Sequence, residues 1–182
     1  MDGLQPPLIS SVGRIDTMSD KKALEFNEPR KATPNDKDDI LVVIGSHKEA
    51  KWDRPIAKRY FDDFFKYPEL FNTDKVYVVE EGDRIVGVIG YSLDKYETKN
   101  YWLGWFYVHS DYCKKGYGKH LFYFLRKELK KLKVKKLFVD TSSDEFYKTA
   151  LLWYIKFGFK LEGIIKKYYG QNEDQLILSI DL

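Results

Sequence analysis

Between Pro29 and Leu182 the apolar positions of this chain change rhythm repeatedly, and each change marks the end of an element. An extended segment, Pro29 to Thr33, meets Pro34, which can open a helix with Thr33 as its N-cap; that helix is predicted to run to about His47. A second helix is predicted from Arg54 to Lys66, where Ile56, Tyr60, Phe64 and Phe65 form a stripe and Pro68 imposes the stop. Lys75–Glu80 and Arg84–Leu93 are β-branched runs about Glu81-Gly82-Asp83, the signature of a hairpin. Tyr101–His109 is apolar at odd and even positions alike, so it is expected to lie centrally with both faces covered, and Gly104 marks a bulge or a close backbone approach.

Helical spacing returns from Gly116 to Lys133, with Leu121, Leu125, Leu129 and Leu132 on one side and lysines on the other. A short buried strand, Lys136–Thr141, is followed by a helix from Asp144 to Phe157 that Gly158 ends. Two more strands, Phe159–Tyr168 and Gln175–Ile180, flank a polar Gly-Gln-Asn-Glu-Asp loop. The order β-α-α-β-β-β-α-β-α-β-β gives a mixed α/β fold, a single sheet layer with helices packed on it. Residues 1–28 are polar and aperiodic and read as a flexible arm; the part before Met18 reads equally as a leader, an over-called start or a functional tail. Residues 29–182 form one domain, since 182 residues suit a single core.

Composition narrows the class only modestly. At 43% hydrophobic and 32% charged, with no apolar run long enough for a bilayer, the chain reads as soluble, with the cytoplasm as default compartment and no membrane partner. The net charge of +3 makes no case for nucleic acid. The lysine-rich run Lys127 to Lys136 could bind RNA, but without interleaved aromatics it reads better as the solvated face of a helix. One cysteine, Cys113, excludes an internal disulfide, and the three histidines are too scattered for a zinc site, so no metal is expected.

The chemistry concentrates where the central strand turns into the glycine-bearing helix. Gly116 and Gly118 allow a tight turn that aims several N–H groups at one anion, the helix N-terminus adds unpaired donors, and Lys114, Lys115 and Lys119 add positive charge. A nucleotide P-loop does not fit, because position 113 is Cys and His120 follows Lys119. A dinucleotide fingerprint lacks its third glycine, which Leu121 replaces.

Tyr107-Val-His-Ser-Asp-Tyr-Cys-Lys-Lys-Gly-Tyr-Gly-Lys-His-Leu121, followed by Thr149-Ala-Leu-Leu-Trp-Tyr-Ile-Lys-Phe-Gly-Phe159, resembles the GNAT superfamily of acetyl-CoA-dependent N-acetyltransferases. The resemblance spans about Pro29 to Leu182. It implies a mixed, largely antiparallel central sheet with helices on both faces, and acetyl-CoA (coenzyme A) as cofactor. It places the pyrophosphate on the backbone of Cys113, Lys114, Lys115, Gly116, Tyr117, Gly118 and Lys119, and the pantetheine arm beside Val108 as an added strand. Two positions depart from the family pattern: Cys113 stands where Arg or Gln is usual, and Tyr147, at the position of a cofactor-binding Asn. Tyr154 falls on the family's acid, the tyrosine that protonates the departing thiolate; as residues alone, Trp153, Tyr154 and Phe157 could equally be core aromatics. Tyr168 and Tyr169 are expected to line the acceptor site.

The implied activity is transfer of an acetyl group to a primary amine by direct attack in a ternary complex, by a monomer or homodimer. The acceptor is left open between a small amine or polyamine and a peptide amine, and a non-catalytic acyl-CoA sensor or adaptor is the alternative. No base stands out: Glu80, Glu81, Asp94, His109 and Glu145 are candidates, each of which reads better as a solvated residue. Cys113 beside lysines at a helix start invites an activated thiol, yet its place in the pattern is that of a cofactor-loop residue.

Overall fold

The computed structural model describes residues 26–48, 53–94, 96 and 98–182. The expected arm falls almost wholly outside the described residues. Arg30–Lys31 (β1) pairs with Lys75–Glu81 (β2), and between them Lys37–Gly45 (α1) and Asp53–Lys66 (α2) pack on one sheet face. Then come Arg84–Leu93 (β3), Asn100–Val108 (β4), Tyr117–Lys131 (α3), Lys136–Ser142 (β5), Lys148–Lys156 (α4), Lys160–Gly170 (β6) and Glu173–Asp181 (β7). The sheet has seven strands in the order β1-β2-β3-β4-β5-β7-β6, and every neighbouring pair is antiparallel except β4 and β5.

Helices cover both faces, so the single sheet has a core on each. Leu121, Leu125 and Leu129 of α3 are fully buried against Val79, Val86, Ile89 and Leu137, and α4 adds Tyr154 to the same layer. On the other face Ile40, Val43 and Ile44 of α1 and Ala57 and Phe61 of α2 close over Val78 and Val88.

Several boundaries move for local reasons. A 3-10 turn, Pro34–Asp36, precedes α1, because the Asp36 carboxylate accepts from the Thr33 N–H and hydroxyl and holds the entry tight. The α2 stripe is rotated by one position from expectation: Ile56 is exposed, while Ala57 and Phe61 point inward. Leu132 falls off the α3 stripe because the helix ends at Lys131 and Lys133 turns left-handed. The polar loop expected after Tyr168 is shorter, since β6 and β7 run on to Gly170 and from Glu173; residues 166–169 instead form a bulge against Asp174.

The most consequential irregularity lies in β4. Val88 pairs with Tyr107 and Gly90 with Gly104, so an extra residue is accommodated in between. The backbone takes it up at Trp105, whose φ is 50°, and Gly104 keeps strand pairing. One consequence is that the alternation reverses: Leu103 faces the α3–α4 side, Trp105 the α1–α2 side, and beyond them Phe106 and Val108 return to the α3–α4 side. A second is that β4 parts from β5. The two strands pair only through Asn100, Tyr101 and Trp102, and past that point β5 continues with β7 alone to Ser142. β4 is therefore central but not fully covered, and most of its residues are half-buried along the gap.

Candidate active site

The gap between β4 and β5 and the turn that opens α3 meet at Val108. His109 donates its N–H to the Val86 carbonyl of β3, so the preceding residue turns its own N–H and C=O the other way, toward the gap. The Val108 carbonyl there accepts from His47 Nε2 at 2.8 Å and from the Cys113 thiol at 3.6 Å. Neither of those partners reaches the Val108 N–H.

The turn itself is built by a 3-10 segment, Ser110–Tyr112, then Lys114 and Gly116 in the left-handed region at φ 63° and 103°. Gly116 is required there, since a Cβ would meet the Phe26 ring at 2.9 Å as well as strain the backbone. Gly118 lies on the helix side facing Phe106 and Val108, and a small substituent would fit at 3.7 Å from both. The first bond of α3 is His120 N–H to the Gly116 carbonyl, which leaves the N–H groups of Tyr117, Gly118 and Lys119 at the free helix start. Donors and dipole converge on the mouth of the gap, the arrangement that suits a pyrophosphate.

Some expected contributors are placed differently. The Cys113 N–H is occupied by the Ser110 carbonyl, so the free backbone donors begin at Lys114. Its thiol is not activated: burial pushes its pKa up, and the opposing charge of Lys114 is the smaller influence. Lys115 lies over the Tyr112 ring and Lys119 over Tyr123, at 4.5 and 5.5 Å. The Tyr117 ring points inward, donating to Glu81 at 2.8 Å, so only its main chain belongs to the turn.

Tyr154 sits on α4, 7% exposed, with its ring among Phe106, Trp153 and Phe159. Burial, helped by the charge of Asp140, holds its phenol well above the ordinary tyrosine range, so it is a protonated donor at neutral pH. Tyr147, in the 3-10 turn before α4, directs its hydroxyl across the gap to Asp53 of α2, at 2.9 and 3.0 Å from the two carboxylate oxygens. Tyr107 of β4 donates to the same carboxylate at 2.7 Å. Of the two hairpin tyrosines, Tyr168 is exposed and Tyr169 donates to Asp140 of β5 at 3.0 Å.

The carboxylates considered as bases are engaged elsewhere: Glu80 with Arg30, Glu81 with Tyr117, Asp94 with Thr98 and Glu145 with Lys148. His109 accepts from the Asp111 N–H. The acidic groups brought to the gap are Asp53 and Asp140, which sequence reasoning did not single out. Neither lies in a motif; only the Tyr147–Asp53 and Tyr169–Asp140 contacts, across 94 and 29 residues, reveal them. Among the described residues no group of three or more His, Cys, Asp or Glu is arranged to hold a metal ion, and no helix is long and apolar enough to cross a membrane.

Comparison with known proteins agrees with this geometry. A protein from Desulfovibrio desulfuricans assigned to the GNAT family superposes with a TM-score of 0.77 at 20% identity, covering 84% of this chain and 97% of that one. The ribosomal-protein-S18-alanine N-acetyltransferase of Escherichia coli gives 0.68 at 16%, covering 84% and 92%. The microcin C7 self-immunity acetyltransferase MccE, solved with acetyl-CoA and AMP, gives 0.64 at 17%, covering 86% and 91%. No curated protein matches by sequence. The family model for the acetyltransferase (GNAT) family matches residues 44–159, which takes in α2 through α4, the glycine turn and Tyr154. The chain belongs to the acetyltransferase (GNAT) family.

Proposed function

We propose that this protein is an N-acetyltransferase that moves an acetyl group from acetyl-CoA to a primary amine by direct attack in a ternary complex. The observation that carries the reading is the gap between β4 and β5, with the glycine turn at its mouth, the Val108 N–H facing it and the buried Tyr154 beside it. Lys114 through Lys119 would hold the pyrophosphate through backbone N–H groups, and the freed edge of β4 would take the pantetheine arm as a strand. When bound, acetyl-CoA supplies an acetyl carbonyl activated as a thioester.

The residues of the chain then divide the work. The Val108 N–H donates to the carbonyl oxygen as negative charge grows there, in a setting from which the flanking aromatic side chains exclude water. Tyr154 keeps its proton until the sulfur departs, then releases it to that sulfur. Its high pKa is suited to this task, because a phenol that ionised early would have no proton to give. Tyr168 and Tyr169 line the acceptor side.

Two measurements test this. Gly118→Glu puts a carboxylate at the free N–H groups, facing Phe106 and Val108, and should weaken acetyl-CoA binding at least a hundredfold by calorimetry. Unchanged affinity would refute the cradle. Tight acetyl-CoA binding without transfer to any amine or peptide would instead favour a sensor or adaptor.

A further inference from the structure

The carboxylates of this protein fall into two groups. Asp36 is paired with Arg30, Asp62 with Lys37 and Lys58, Glu162 with Lys136, and Asp174 with Lys166. Asp53 and Asp140 are held only by neutral donors: two phenols on Asp53, and the Tyr169 hydroxyl and the Gln175 amide, at 3.0 and 2.9 Å, on Asp140. Neutral donors fix the direction of a carboxylate and leave its charge uncompensated.

Both carboxylates lie on the same side of the sheet and on opposite sides of the gap. Leu137 and Val139 of β5 pack toward α3 and α4, so Asp140, by alternation, faces the side where α2 carries Asp53. Tyr154 approaches from the other layer. It is more than nine-tenths buried, and no hydrogen bond joins its hydroxyl to another described residue. It lies within electrostatic reach of Asp140 and of the Tyr107 phenol that holds Asp53. The unpartnered catalytic hydroxyl is thus flanked by two oriented, unpaired negative charges.

We infer that the acceptor is a small polycationic amine, one ammonium of which is held by the Asp53 and Asp140 carboxylates while another amino group, uncharged at the moment of attack, meets the acetyl carbonyl. The inference rests on the acetyltransferase reading and adds the class of acceptor. A single amine would leave one carboxylate uncompensated, whereas a diamine satisfies the charge and presents its second nitrogen to Tyr154's side of the gap. The phenols of Tyr107 and Tyr147 make Asp53 the rigid half of this clamp, since they anchor it to β4 and to the start of α4. Asp140 is the exposed half, open to the incoming ligand.

The test compares 1,4-diaminobutane with butylamine, which has the same carbon chain and one charge fewer. Acetyl transfer is measured for both with the full chain, together with Asp140→Asn and Asp53→Asn. The wild type should favour the diamine at least tenfold in kcat/KM, and each substitution should shrink that preference toward unity through KM, with acetyl-CoA affinity unchanged. Because Asp53 also ties elements together, Asp140→Asn is the decisive variant and thermal unfolding verifies both. Calorimetric titration of the two amines, with and without coenzyme A, separates the claims: diamine binding that depends on Asp140 without transfer would refute the enzyme and keep the clamp. Equal use and equal binding of the two amines, or a preference that survives Asp140→Asn, would overturn the inference.

Discussion

Two residues of the glycine turn show how far single positions decide the site. Gly116 adopts φ 103° against the Phe26 ring, so Gly116→Ala combines left-handed strain with a contact of 2.9 Å. It should cost about 1 to 2 kcal/mol in thermal or denaturant unfolding and weaken acetyl-CoA binding in parallel. Loss of binding with no loss of stability would mean that the conformation is not what Gly116 provides. Cys113 makes the opposite kind of prediction. Its thiol is half-buried against the Val108 carbonyl and its pKa is raised, so at pH 8 it should carry less thiolate than a free cysteine. Iodoacetamide should therefore alkylate it more slowly than a model thiol, with the rate rising as pH passes above the ordinary cysteine value. Faster alkylation at neutral pH would restore the activated thiol that the sequence invites.

At the scale of elements, the start of the fold hangs on one ion-pair cluster. Arg30 of β1 binds the Asp36 carboxylate at 2.8 and 2.9 Å and bridges to Glu80 of β2, which ties the first strand to the turn that opens α1. The Arg30 guanidinium, and then the Thr33 N–H, hold the Asp36 carboxyl down at about 2. A pKa lowered on folding means that the stabilisation is complete above the unfolded value near ~4 and disappears as pH falls through about 2. Because Arg30 is partly exposed, the effect should be about 1 to 2 kcal/mol at neutral pH. Urea unfolding of the wild type and Asp36→Asn should show that difference at pH 7 and a shrinking one between pH 4 and 2. A difference constant over that range would assign the effect to packing.

The elements also show what the sequence could and could not reveal. Every major helix and strand is legible in the apolar rhythm, because burial on one face or two is what that rhythm records. The bulge is not. Gly104 is the residue expected to bend β4, yet Trp105 takes the left-handed conformation, since its ring gains contact with Tyr60 and Phe61 of α2 in exchange. The gap between β4 and β5 follows from that bend and from strand pairing, neither of which a linear pattern encodes. Asp53 and Asp140 escape for the same reason: their partners are far off in sequence, and an isolated Asp on a helix or strand looks solvated.

Across the whole molecule the two layers of helices have different tasks. The α3–α4 layer brings the glycine turn and Tyr154 to one edge of the gap, and the α1–α2 layer brings His47 to Val108 and Asp53 to Tyr147. The gap is the one place where both layers and the β5–β7 end of the sheet meet, which is why an acyl donor and an acceptor can reach each other there. The most direct test is the initial rate at which acetylated amine appears, followed by mass spectrometry with saturating acetyl-CoA and a mixture of mono- and diamines, for the wild type and Tyr154→Phe. The account predicts one acetyl group added to an amine by the wild type and a rate at least tenfold lower for Tyr154→Phe, with acetyl-CoA affinity unchanged. No acetylated product from a chain that binds acetyl-CoA, or equal rates for the two proteins, would contradict it.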